Sequence, residues 1–109
     1  MTGFSRVGAT LLILVLAAPV LADGADETGA IKAETCRGCH GIEGYKNVYP
    51  TYKVPMLAGQ NKDYLVIALK AYKSGERSHP TMQSQAMTLS EQDMEEIAAY
   101  FAAQGGGEQ

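Results

Sequence analysis

The sequence predicts an all-α domain in which three to four short helices wrap one covalently attached group, and three observations carry that prediction. Residues 61–75 and 90–104 each hold apolar side chains at helical spacing between start and stop signals. The stretch Thr35-Cys36-Arg37-Gly38-Cys39-His40-Gly41 reads C-x-x-C-H, the attachment signature of a c-type haem, and no βαβ pattern surrounds its cysteines. The chain is also short, 109 residues and one domain at most, so an apolar macrocycle can serve as part of its core.

In chain order, the first segment is one to set aside. Arg6 precedes the apolar run from Leu11 to Ala18, and Val20-Leu21-Ala22 supplies cleavage positions, so residues 1–22 read as a secretory signal peptide. A retained membrane anchor is the alternative, but the run falls short of the ~20 apolar residues that span a bilayer. Cleavage after Ala22 leaves 87 residues with eight basic and twelve acidic side chains, a formal charge of −4 and no membrane span. That balance excludes nucleic acid as a partner. Export to an oxidising compartment also fits the cysteines, because C-x-x-C-H consumes both and none remains for a disulfide.

The domain then occupies residues 23–104. Asp23 to Thr28 is polar and reads as frayed. Gly29 to Cys36 reads as a short first helix whose few apolar residues, Ala30, Ile31 and Ala33, leave its stability to packing and to the haem bonds at its end. The motif explains its own spacing. Two thiols three positions apart can add to the two vinyl groups on one porphyrin edge, while the adjacent histidine brings a ring nitrogen to iron. Cys36 and Cys39 are therefore the expected thioether residues, and His40 the expected proximal ligand, of one haem c. A dithiol redox pair and a zinc site are the alternatives, and zinc would need a fourth ligand for which only His79 is an obvious donor.

Gly41 to Gly59 reads as a loop, punctuated by Gly44, Pro50 and Pro55. Loops of this length usually carry function or wrap a ligand. Its Tyr45, Tyr49 and Tyr52 can lay rings against a porphyrin while their hydroxyls reach water or a propionate, with plain surface packing as the alternative. Asn61 can cap a second helix that has Asp63 in its first turn and Gly75 past its end. Tyr64, Ala68 and Tyr72 form one i, i+4 row with Leu65 and Leu69 beside it, an apolar face opposite the solvated Lys62, Lys70 and Lys73.

Ser74 to Leu89 reads as a second long loop, polar and without helical period, holding His79, Pro80, Met82 and Met87. Ser90 opens the last helix: Ser90 and Asp93 are spaced as a capping box, Leu89 and Met94 as a hydrophobic staple. Met94, Ile97, Ala98 and Phe101 follow at i, i+3, i+4 and i+7. The helix ends near Gln104, before Gly105-Gly106-Gly107, and residues 105–109 read as a disordered tail.

Beyond Cys36-Arg37-Gly38-Cys39-His40-Gly41, the run Val54-Pro55-Met56-Leu57-Ala58-Gly59-Gln60 followed by Tyr64-Leu65 resembles small bacterial cytochromes of the c4 and c553 type. So does Leu89-Ser90-Glu91-Gln92-Asp93 followed by Ile97-Ala98-Ala99-Tyr100-Phe101. The resemblance covers about Gly29 to Gln104 and implies the class I cytochrome c fold, with N- and C-terminal helices crossing closely at a small residue in the place of Gly29. A helix-start glycine is the plainer reading of that position. The resemblance also implies that the Pro55 carbonyl accepts the second ring N–H of His40. A c4 cytochrome carries two haem domains, whereas this chain has one C-x-x-C-H.

A distal ligand is expected among the methionines, since the thioether is a soft donor that favours ferrous iron. Met94 falls on the stripe of the last helix and reads as core. Met56 follows Pro55 on the proximal side. Met82, placed similarly to the ligand methionine of the c4-like cytochromes, is preferred, with Met87 and His79 as alternatives. The expected function is single-electron transfer in the bacterial periplasm by Fe(III)/Fe(II) cycling, with no enzymatic step. A periplasmic dehydrogenase is the expected donor, and a terminal oxidase or another cytochrome the expected acceptor. One rival is a dedicated cytochrome subunit of a flavoprotein or copper dehydrogenase. The other is a gas sensor or peroxidase-like protein with an open distal site.

Overall fold

A computed structural model describes residues 24–49 and 51–105, together with the isolated Gly3. The leader expected over residues 1–22 and the tail over 106–109 lie outside the described residues. Among the described residues five helices follow one another: α1 (Gly24–Lys32), α2 (Glu34–His40), α3 (Lys62–Ser74), α4 (Pro80–Met87) and α5 (Glu91–Ala103). Among the described residues β-pairing is limited to one isolated bridge, Lys46 to Lys53. The all-α prediction holds.

The first helix differs from its expected bounds at both ends. It starts at Gly24, within the segment read as frayed, and the helical bonding passes Ala33 into α2, with Ala33 N bonded to Gly29 O and Arg37 N to Ala33 O, both at 2.9 Å. Periodicity underestimates this helix because its core-facing positions are Gly29 and Ala33, which are buried but carry almost no hydrophobic signal. Their smallness is structural. A Cβ built on Gly29 would lie 2.7 Å from the backbone oxygen of Glu96, so α1 and α5 cross at the distance only glycine permits. Gly29 stands mid-helix, which removes the reading of it as a helix-start residue.

The core is small: Ala33, Leu65, Val66, Ile97, Ala98 and Phe101 form one cluster, with Cys36, Leu57, Leu89 and Tyr100 packed against it. Met94 is 1% exposed and is core, as its place on the stripe of α5 predicts. On α3 the buried face is Leu65 and Val66 rather than the row of Tyr64, Ala68 and Tyr72. Tyr64 is 47% exposed, its hydroxyl 3.4 Å from the Arg77 guanidinium, which also lies over the Tyr72 ring at 4.8 Å. Tyrosine scores as apolar in a pattern, but its hydroxyl favours a polar edge.

The helix ends follow the sequence closely. The Asn61 side chain accepts from Tyr64 N at 2.9 Å, and Gly75 closes α3 with φ of 82°, a left-handed cap. Ser90 and Asp93 form the expected capping box. The segment 74–89, read as a loop, instead contains α4. Its eight residues, PTMQSQAM, have little amphipathic pattern and bury only Ala86, so periodicity misses them. The start signal is Pro80 at the first helical position, behind an N-cap of an uncommon type, His79.

Candidate haem site

The C-x-x-C-H motif occupies the last two turns of the interrupted first helix. Cys36 and Cys39 therefore stand one turn apart on α2, both free thiols, the first half-buried against the core and the second exposed. Burial pushes the Cys36 thiol up, the mark of an apolar surround. His40 closes the helix, half-buried, and Gly41 caps it. A Cβ at Gly41 would come within 2.8 Å of the Arg37 carbonyl oxygen, so a side chain there would push the motif off its helix end.

The loop after the motif returns to it. His40 Nδ1 lies 2.8 Å from the carbonyl oxygen of Pro55. A carbonyl only accepts, so Nδ1 is the donor, and in the neutral ring Nε2 is then the nitrogen with the lone pair. The same loop is pinned to α5 by Gly59 N on Phe101 O at 2.9 Å. Met56 is partly exposed and shares a shallow cleft with Arg37 and His40.

The three tyrosines diverge. Tyr45 is half-buried and its carbonyl accepts from Val54 N. Tyr49 is 92% exposed. Tyr52 reaches α4, its hydroxyl 3.0 Å from Thr81 Oγ1 and its ring edge-on to His79 with centroids 4.8 Å apart. Met82, the next residue after Thr81, is half-buried, while Met87 is 67% exposed. His79 is engaged at α4 rather than with the thiols: its Nδ1 accepts from Met82 N at 3.3 Å, and the Tyr72 ring stands near perpendicular to it at 6.2 Å. Among the described residues no three histidine, cysteine or acidic side chains gather as a cation site requires. Sequence reasoning missed the capping role of His79 and the link from Tyr52 to Thr81. Pro80 directly after His79 was the available signal for the first.

Helices α2 and α4, which bear the two ends of this set, make no close backbone approach to one another. Two thiols on one helix, an imidazole with Nε2 spare and a thioether on a separate element suit an iron porphyrin attached at one edge. The cytochrome c family model matches residues 27–104. The chain belongs to the cytochrome c family. It is 39% identical over 94 residues to cytochrome c4 of Pseudomonas aeruginosa, an alignment covering 86% of this cytochrome and 45% of that one. It is 39% identical over 79 residues to cytochrome c-554(548) of Halomonas halodenitrificans, covering 70% of this chain and 92% of the relative. A solved cytochrome c4 of Acidithiobacillus ferrooxidans superimposes with a TM-score of 0.57 at 29% identity, over 74% of this cytochrome and 49% of that chain. The chain thus spans about half the length of the cytochrome c4 relatives it matches. Family membership brings with it a covalently bound haem c.

Proposed function

We propose that this cytochrome carries one haem c per chain and transfers single electrons between redox proteins of the bacterial periplasm. The observation that carries the reading is the pairing of C-x-x-C-H with the 2.8 Å bond from His40 Nδ1 to the Pro55 carbonyl. That bond fixes the ring, selects the tautomer with Nε2 free and makes the imidazole a stronger donor. Cys36 and Cys39 would hold the porphyrin edge as thioethers, and His40 and Met82 would be the axial ligands. Tyr45, Tyr49 and Tyr52 would lay rings against the group. The bound haem supplies the one-electron couple. The chain supplies orientation, exclusion of water and the balance between the oxidation states, with no acid, base or nucleophile required.

The donor is a periplasmic dehydrogenase and the acceptor a terminal oxidase or another cytochrome, either one presenting a basic face to this acidic protein. Mass spectrometry of the exported chain is expected to show loss of residues 1–22 and gain of one haem. Cys36→Ala or Cys39→Ala should lower the haem-loaded fraction, and His40→Ala should abolish it. A stable, normally folded His40→Ala protein without haem would overturn the reading, since 87 residues with so small a core should then need no staple.

A further inference from the structure

His79 is the titratable ring that neither the haem attachment nor the proximal side uses, and it stands at the junction of three elements. Its Nδ1 accepts the backbone N–H of Met82, while the backbone N–H of His79 donates to Gln83 Oε1 at 3.3 Å and the His79 carbonyl accepts from Gln83 N at 2.8 Å. Tyr52 of the loop and Tyr72 of α3 both stand near perpendicular to the ring, with centroids 4.8 and 6.2 Å away. Tyr52 also bonds Thr81, so residues 81, 82 and 83 are each fastened, two to His79 and one to its ring neighbour. Pro80 between them has its φ fixed.

We propose that His79 is the positioning residue of the distal ligand: through the cap on Met82 N and its ring contacts with Tyr52 and Tyr72, it sets where the Met82 thioether stands relative to the iron. The inference rests on Met82 being that ligand. The physical argument is one of freedom. Helix α4 is two turns long, buries one side chain and would fray in isolation. A ligand in its first turn keeps a defined direction only if that turn is held from outside, and the His79 ring supplies both the cap on Met82 N and contacts to two other elements. A serine or aspartate would cap the helix equally well. Only a cap with a ring also carries the tie to Tyr52 and Tyr72, which couples α4 to the loop and to α3.

The test separates cap from ring in the haem-loaded protein. His79→Phe keeps the ring contacts and removes the acceptor, while His79→Asn keeps an acceptor and removes the ring. Imidazole, added as an exogenous ligand to the ferric protein, competes with Met82 for iron, so its apparent affinity reads how firmly the thioether is held. Both variants should bind imidazole more tightly than the parent, His79→Phe by about tenfold, the size of a lost N-cap. Both should also lower the reduction potential and weaken the far-red methionine–iron band. Unchanged imidazole affinity and potential in both, even with a lower melting temperature, would make His79 a helix cap only and overturn the proposal. Met82→Ala serves as the control: if it keeps the far-red band, the ligand assignment itself fails and this inference with it. If it loses the band while the His79 variants match the parent, only the role of His79 fails.

Discussion

Met82 and Met87 share one short helix, and their surroundings separate them. Met82 is half-buried with its N–H held by His79, whereas Met87 is 67% exposed at the far end of α4. A ligand must be held close to iron against competing water, and the first turn of α4 carries the bond that fixes Met82. Met82→Ala is therefore expected to give a haem that binds carbon monoxide and has a lower potential, while Met87→Ala keeps the low-spin spectrum. Absorption spectra of the two ferric proteins, with and without carbon monoxide after reduction, check this directly. The reverse pattern would move the distal ligand to Met87 and leave electron transfer intact.

The contact between α1 and α5 is where single elements decide stability. Gly29→Ala would place a methyl group 2.7 Å from the Glu96 carbonyl oxygen, a backbone atom that cannot swing aside. Overpacking of this kind costs about 1–3 kcal/mol, against a gain of about 1 kcal/mol from helix propensity. The variant is expected to be less stable by about 1 kcal/mol, the middle of that difference, read as a melting temperature lower by about 4–8 °C. Lys32 clamps the same crossing from the side, paired with Asp93 at 2.7 Å and with Glu96. The lysine, and for Asp93 also the Ser90 cap, hold both carboxyls below the usual carboxylate range, and the two acids raise Lys32. Lowered acids contribute stability that is present above their unfolded values, about pH 4, and is lost as pH falls through the lowered folded values. The raised lysine contributes stability that is fully present below its unfolded value and is lost only as pH rises through its raised one. Stability from this clamp should thus be flat across neutral pH and decline in acid. Lys32→Met should shrink the acid decline in denaturant titrations run from pH 6 to pH 2, and an unchanged slope would argue that the triad contributes nothing.

At the scale of the whole molecule, charge is the property that reaches a partner. Eight basic against twelve acidic residues remain after the expected cleavage, and haem propionates would add to the excess. Such a field raises the rate of encounter with a cationic partner and is screened within about 10 Å at 0.1 M salt. Electron transfer from the reduced protein to a small cationic oxidant, followed by stopped flow, is expected to slow by about tenfold as ionic strength rises from low to high. A neutral oxidant should show little change, and equal salt dependence for both would remove steering from the account.

Much of this protein was legible in its sequence because the decisive signals are local. Five positions in a row specify haem attachment through the reach of two thiols and a ring, and Asn61, Gly75, Ser90 and Asp93 mark helix ends through bonds made within one turn. Tertiary structure decided what pattern cannot encode. The first helix begins early because Gly29 and Ala33, nearly invisible to any hydrophobic scale, face α5. Tyr64 leaves the buried face of α3 because Arg77 takes its hydroxyl. Helix α4 buries a single side chain, so no stripe marks it, and the tyrosines beside its histidine cap come from the loop and from α3, 27 and 7 positions away.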